Sequence, residues 1–581
     1  MNVSRASKLF LLIAIMLLIG NTIAISRDYQ DSWVLEGLEI PIALFVIVYA
    51  ITFFSETRKS RMVGLALIGR AVFLLIPNLK YAWFQGTWID EYVQYALTKY
   101  VSLTGHICTI GTYNSTNYFT SFAAYITSPF MHLSFSIFSI VSSVSVVDLM
   151  KYLPVFWSLV YPLLTYIIVE KMEFRQRNGL LRYALFFSSV PISVDQYVVG
   201  GGLFGSLFVS LVLVVLLVVL QKKNRLLWVV YAVLVFALAA GHSVTSIILS
   251  VCLLLIVVIQ RFSHLLPKLH LQASTALLFA SISAAWLMFI ASFTLQSITS
   301  LFFVGVPTGV TPPSEYISST FFEHVRVNLL SAIKSFIVFY GADALFLILS
   351  LGGLIVLLRR REKLNSATSF LLLFGWLILL LMVLGYFLKV GAPRLLFFIR
   401  LLYPVLAGLF VLQISVRVRS RKVRIGILSG IFLSVMLLAT VEFYGYQPLI
   451  SPANVLYKGV PANIPISSVN LANSIYQRQV IGFAENHING IIAAQTITAN
   501  IIVGLAPINY SIANVVSYYP INKTQPTVSY DYFIVSLPGK AGAPPSVPPP
   551  LQTTEIISEY IQNSSIIYTN GESYILGQYI P

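Results

Sequence analysis

Long apolar runs separated by short polar stretches dominate the chain up to about residue 441, and the alternation stops after that point. A helix that crosses a bilayer needs roughly 20 apolar residues, with about 15 to 17 tolerated where neighbours or local thinning help. Runs near that length predict about thirteen transmembrane helices. They cover approximately 8–26, 38–55, 62–78, 152–169, 180–197, 205–220, 226–240, 246–259, 272–292, 342–358, 367–388, 398–414 and 425–441. The pair between 226 and 259 is short and is broken by Gly241-His242-Ser243, so two helices and one bent element both fit. The apolar stretch 129–147 is led by Pro129 and rich in serine, a composition suited to lying on or dipping into a leaflet rather than crossing it.

From residue 442 the pattern changes to fewer leucines and more Asn, Ser, Tyr and Pro, as in a soluble domain. Tyr530–Leu537 and Ile566–Tyr568 have strand patterning, and Asn570-Gly571 ahead of Ser573–Leu576 is a strong hairpin signal. Residues 468–488, with Leu471, Ile475 and Val480, and 553–562, with Ile556, Ile557, Tyr560 and Ile561, have near-helical spacing. Proline-rich Lys540–Pro550 predicts a stiff exposed loop. The fold class expected is an α-helical polytopic membrane protein with a small C-terminal exterior α/β domain. The divisions are 1–78, N-terminal helices; 79–151, a first large exterior loop; 152–441, a helical bundle; and 442–581, the C-terminal domain.

Composition excludes a soluble protein, since 57% of residues are hydrophobic, 10% are charged and the mean hydropathy is +0.84. The net charge of +16 does not point to nucleic acid, because Lys and Arg sit in short clusters between apolar runs. Those clusters are Arg58–Arg61, Lys171–Arg182, Lys222–Arg225, Arg359–Lys363 and Arg417–Arg424. They fall on alternate loops, which the positive-inside rule places in the cytoplasm. The resulting expectation is a multi-pass cell-membrane protein with a cytoplasmic N-terminus and an exterior C-terminal domain. Counting 129–147 as a span would move every later basic loop outside. The first apolar run also has the build of a signal peptide, with small residues such as Ala24 behind it, and its removal would leave the other spans unchanged. Five sequons, at Asn2, Asn114, Asn509, Asn522 and Asn563, fall on exterior segments in four cases. Cys108 and Cys252 are expected at different depths and unbridged.

The chemistry-bearing residues concentrate at exterior ends. Asp90-Glu91, in Trp88-Ile89-Asp90-Glu91-Tyr92, begins a segment whose Tyr92, Tyr95, Leu97 and Tyr100 predict an amphipathic helix along the membrane surface. Neighbours on a helix point about 100° apart, so one acid suits proton transfer and the other orientation. Capping the helix is the alternative use of both. Arg394 and Arg400 run against the positive-inside trend, and forked guanidinium geometry suits a lipid phosphate or diphosphate, with snorkelling to headgroups as the alternative. His242 sits at the helix break, where polar groups reach a substrate cavity, with a structural role as the alternative, and Asp195, at the end of another span ahead of Gly200-Gly201-Gly202, offers a second acid for the substrate. Arg70, inside the third span, has no partner that the sequence names.

This arrangement resembles the GT-C class of integral-membrane glycosyltransferases, particularly polytopic prokaryotic and archaeal members and the protein mannosyltransferases. The match consists of Asp90-Glu91-Tyr92 in the first large exterior loop, Pro154 and Pro162 in the next span, His242, the Arg394–Arg400 turn and the C-terminal exterior segment. The resemblance implies a sugar donor on polyprenyl phosphate and an exterior glycan or protein acceptor. It makes Asp90 the catalytic base with Glu91 beside it, and Arg394 and Arg400 the phosphate-binding pair. The chain departs from the class in two ways. It lacks the Trp-Trp-Asp-Tyr-Gly signature of oligosaccharyltransferases, which argues against en bloc transfer to asparagine, and three spans precede the acidic loop instead of one. A divalent cation stays open as cofactor, because one acid pair is a thin ligand set. A transporter or flippase for lipid-linked saccharides, and a non-catalytic assembly protein, are the other classes compatible with the pattern.

Overall fold

The computed structural model describes residues 3–28, 39–80, 89–107, 128–174, 176–191, 201–221, 225–262, 271–291, 329–361, 364–387, 398 and 400–440, and five strands between 492 and 579. In chain order the helices begin with α1 Val3–Asp28, α2 Glu39–Ser55, α3 Lys59–Lys80, α4 Ile89–Thr104 and α5 Phe130–Ser142. They continue with α6 Val146–Ser158, α7 Val160–Lys171, α8 Arg177–Ser189, α9 Gly201–Val219, α10 Arg225–Gly241 and α11 Ser243–Phe262. The last are α12 Ala273–Phe289, α13 Leu329–Arg359, α14 Ser366–Phe387, α15 Tyr403–Arg417 and α16 Arg421–Thr440. Among the described residues, five stretches are long and apolar enough to cross a membrane: Val146–Lys171, Ser243–Arg261, Gly341–Arg359, Ser366–Leu384 and Arg421–Ala439.

The chain forms two compact units, Met1–Arg27 with Leu35–Ala82 and Tyr152–Tyr444, and Asp28–Val34 with Trp83–Lys151 and Gly445–Pro581. In the first, Phe45, Tyr49, Phe53, Phe186 and Phe187 are almost fully buried. The Phe186 and Phe432 rings meet edge-on at 4.9 Å, and Phe54 lies 4.6 Å from Phe432. The outward faces carry exposed apolar side chains such as Ile47, Ile51, Val229, Val233 and Phe236. With lipid outside, burying an apolar side chain gains little, so close backbone approach and shape decide which helices pair. Two glycines make that approach. A Cβ on Gly353 would run into the Leu406 carbonyl where α13 meets α15, and one on Gly408 would lie 2.8 Å from the Ala184 backbone nitrogen where α15 meets α8.

Polar groups tie the same unit together at two depths. Glu56, between α2 and α3, is buried, takes Lys8 of α1 at 2.8 Å, and accepts the backbone N–H groups of Thr57 and Arg58. The hydrogen bond from Lys8 leads the causes that hold its carboxyl down at about 2, below an ordinary value of 4.5, against the opposing pull of burial. Deeper, buried Arg70 of α3 donates Nε to Ser158 Oγ and Nη1 to the Ser188 carbonyl, both at 2.8 Å, and lies 4.8 Å from the Tyr161 ring centroid. Pro162 has no N–H for the Ser158 carbonyl one turn back, and the helix breaks between α6 and α7 where Arg70 braces it. These are the partners that the sequence alone could not name.

In the second unit, α4 packs on α5. At 13 residues α5 rises about 20 Å, short of the roughly 30 Å hydrocarbon core. It ends at Ser143 in the left-handed region, φ 55°, and Ser145 caps α6 by accepting the Asp148 N–H at 3.1 Å. The strands β1 Ile492–Gln495, β2 Val515–Tyr518, β3 Tyr532–Ser536, β4 Ser564–Thr569 and β5 Ser573–Tyr579 form one sheet in the order β2-β1-β3-β5-β4. β1 pairs parallel with β2 and β3, and β5 pairs antiparallel with β3 and β4. β4 and β5 pair antiparallel on either side of Asn570-Gly571, the hairpin signal in the sequence, whereas β1 and β2 carry no comparable signal. The predicted helices at 468–488 and 553–562, the proline-rich loop and all five sequons lie outside the described residues.

Candidate active site

Asp90 and Glu91 occupy the first turn of α4. Their side chains lie outside the described set, and what is described is the helix that carries them. Its buried stripe is Gln94, Leu97, Thr98 and Val101, with Tyr95 at its edge, packed on α5 through Met131, His132, Phe135 and Ser136. Ser136 Oγ donates to the Thr98 carbonyl at 2.9 Å, and Thr98 Oγ1 donates to the Gln94 carbonyl at 2.7 Å. The aromatic positions predicted an amphipathic helix, but two members of its packed stripe are polar: the Thr98 hydroxyl is satisfied by the carbonyl one turn back, and Gln94 Oε1 is buried with no hydrogen-bond partner among the described residues. Asp90 stands one turn before Gln94 along that stripe, and Glu91 one turn before Tyr95.

Arg400 lies just before α15, in a packed interface. It is buried, with Nη2 donating to Asp343 Oδ2 at 2.7 Å and Nε to Oδ1 at 3.3 Å. This is a forked pair, the geometry in which guanidinium and carboxylate match best. The sequence reading missed Asp343 as the partner. Its signal was a lone acid in the apolar run that follows Gly341, since a charge inside such a run carries a function or a partner. Arg394 and Asp195 lie outside the described residues.

His242 is the single non-helical residue between α10 and α11, and helical hydrogen bonds reach it from both sides: its N–H to the Leu238 carbonyl at 2.8 Å, and Ser246 N–H to its own carbonyl at 3.2 Å. The Thr245 N–H donates to Nδ1 at 3.3 Å, and the Thr245 hydroxyl hydrogen-bonds the same nitrogen. An accepting Nδ1 puts the proton of a neutral ring on Nε2. On α9, Gly205 leaves room for this arrangement, because a Cβ there would lie 3.1 Å from both the imidazole Cγ and Thr245 Oγ1. Among the described residues no three His, Cys, Asp or Glu side chains gather as metal ligands.

No protein-family profile and no curated protein sequence matches the chain. Solved structures that it is similar to include archaeal oligosaccharyltransferases. One is the Archaeoglobus fulgidus enzyme in complex with Zn and sulfate, at TM-score 0.49 and 10% identity, covering 78% of this chain and 61% of that one. A second is AglB from the same organism in complex with an inhibitory peptide and a dolichol-phosphate, at TM-score 0.46 and 10% identity, covering 82% of this chain and 69% of that one. The apo form aligns at TM-score 0.44 and 11% identity, over 80% of this chain and 64% of that one. The chain thus spans 61% of the length of the first.

Proposed function

We propose that this chain is a membrane glycosyltransferase that moves a sugar from a polyprenyl-phosphate donor to an acceptor hydroxyl, on a glycan or a protein, at the exterior face of the cell membrane. The observation that carries the reading is the pair Asp90-Glu91 at the head of α4, a helix held by a packed and hydrogen-bonded seam against α5. A base must be held to within about 0.5 Å of its working geometry, and a helix braced along its length supplies that better than a loose loop. In this reading Asp90 takes the proton from the acceptor hydroxyl as the oxygen attacks the sugar's anomeric carbon. The bond to the phosphate breaks, and the lipid phosphate leaves. Glu91 orients the helix head or the acceptor. Arg394 and Arg400 bind the phosphate, with Asp343 fixing the plane of Arg400, and His242 and Asp195 orient polar groups of the substrate. A divalent cation beside the acid pair would offset phosphate charge, and no step above depends on it.

The remaining parts of the proposal are the multi-pass topology of about thirteen crossings, the cytoplasmic N-terminus, and an exterior C-terminal α/β domain that supports the site or recognises the acceptor. The test is transfer of a radiolabelled sugar from a polyprenyl-phosphate donor to a hydroxyl acceptor by the purified protein. Labelled product supports the reading. Movement of the donor across vesicles without transfer would replace it with the transporter reading, and neither activity would leave the assembly-protein reading.

A further inference from the structure

The basic ends of α13 and α15 enclose a feature that sugar transfer does not use. Between them lies a groove of about 350 Å³ walled by Ile355, Phe410, Ile414 and Val418, with Arg359, Arg360 and Arg417 among its lining residues. No acidic side chain is among the described residues that line it. All three arginines are exposed. Arg360 is held in place, with Nη2 donating to Gln413 Oε1 at 3.1 Å and its guanidinium 5.7 Å from the Phe174 ring centroid. On the floor, the Phe410 ring packs on Gly352, where a Cβ would come within 2.5 Å of it. The groove is therefore shaped by residues that face each other across the helix pair.

We propose that this groove binds an anionic phospholipid, with the phosphate on the arginine rim and the first part of an acyl chain between the apolar walls. Charge complementarity sets the headgroup, since three cations with no lining acid attract net negative charge and gain less from a zwitterionic lipid. The walls set the source. A free phosphate would use the rim alone, whereas a lipid phosphate brings hydrocarbon to Ile355, Phe410 and Ile414. Depth agrees with this. Arg359 is about 24 Å of helix rise from Asp343, close to the roughly 30 Å of a hydrocarbon core, so the rim stands at a headgroup level and the walls extend into the chains. The charge pattern that makes these loops cytoplasmic makes this the inner leaflet, where anionic lipids are attracted to basic segments.

The test is native mass spectrometry of the delipidated, full-length protein titrated with phosphatidylglycerol or phosphatidylcholine, with folding followed by thermal unfolding. A juxtamembrane Arg contributes about 1 kcal/mol toward anionic lipid, so the double variant R360Q/R417Q should bind phosphatidylglycerol about tenfold or more weakly. Lys422→Gln, a basic residue outside the groove, should change affinity by less than about twofold. Ile414→Trp keeps every charge and fills the cleft, and it too should lose the lipid. Equal binding of the two lipids by wild type, unchanged affinity in both groove variants, or displacement of the lipid by millimolar inorganic phosphate would overturn the proposal. If R360Q/R417Q fails to fold, Ile414→Trp and the phosphate competition still decide it.

Discussion

The helices α13 and α15 meet charge in opposite ways at their two ends. At one end Arg400 is buried and forks onto Asp343, its charge answered inside the protein. At the other, Arg359, Arg360 and Arg417 stand exposed around an apolar groove with no lining acid. A cation on the basic side of a membrane protein has headgroups and water to answer it. One that runs against the charge trend and is buried needs a partner from the fold, because an uncompensated ion in low dielectric costs several kcal/mol or more. The same residue type is thus oriented by a carboxylate inside the fold at one end and presented as surface at the other.

The comparison breaks first at Asp343. Asp343→Asn leaves the Arg400 charge buried without its carboxylate and should cost about 3 to 5 kcal/mol, read as a lowered thermal midpoint in detergent. The double variant D343L/R400M removes both charges and should recover most of that stability. If it stays as unstable as the single variant, the pair is not the reason for the loss. A smaller effect is expected at Gly353, where Ala must displace the Leu406 carbonyl and should cost about 1 to 3 kcal/mol by the same assay. The Glu56 centre sharpens the contrast by pH. Its carboxyl is held down at about 2, so its stabilising contribution is complete above the ordinary value of 4.5 and is lost as pH falls from there toward 2. Glu56→Gln should remove that part of the acid sensitivity, and an unchanged profile of midpoint against pH would dismiss it. The smallest effect belongs to Arg177→Gln. Its 3.0 Å pair with Glu170 involves a side chain 42% exposed, so a loss of about 1 kcal/mol or less is expected.

Apolar run length located the helices well, because a stretch that must bury its backbone in lipid has little choice but to be helical. It shortened α13, whose first turns around Lys334 dilute the hydropathy although the helix begins at Leu329. The antiparallel pair β4–β5 was legible from the turn chemistry of the sequence between them, but β1 and β2 were not, since short parallel strands carry no alternation to read. At the candidate site, the acid pair and His242 were visible as polar residues out of place. Their surroundings were not visible. Asp343, Gly205 and Thr245 are distant in sequence or ordinary in type, and Gln94 and Thr98 look solvent-facing until α5 covers them.

The central claim is that Asp90 is the proton acceptor in sugar transfer. Asp90→Asn keeps the size and the helix-capping capacity of the side chain and removes only its basicity. Single-turnover transfer from a labelled polyprenyl-phosphate donor should fall by about a hundredfold to ten-thousandfold in this variant, while its thermal midpoint and its donor affinity match wild type. Near-normal transfer by a well-folded Asp90→Asn protein would contradict the claim.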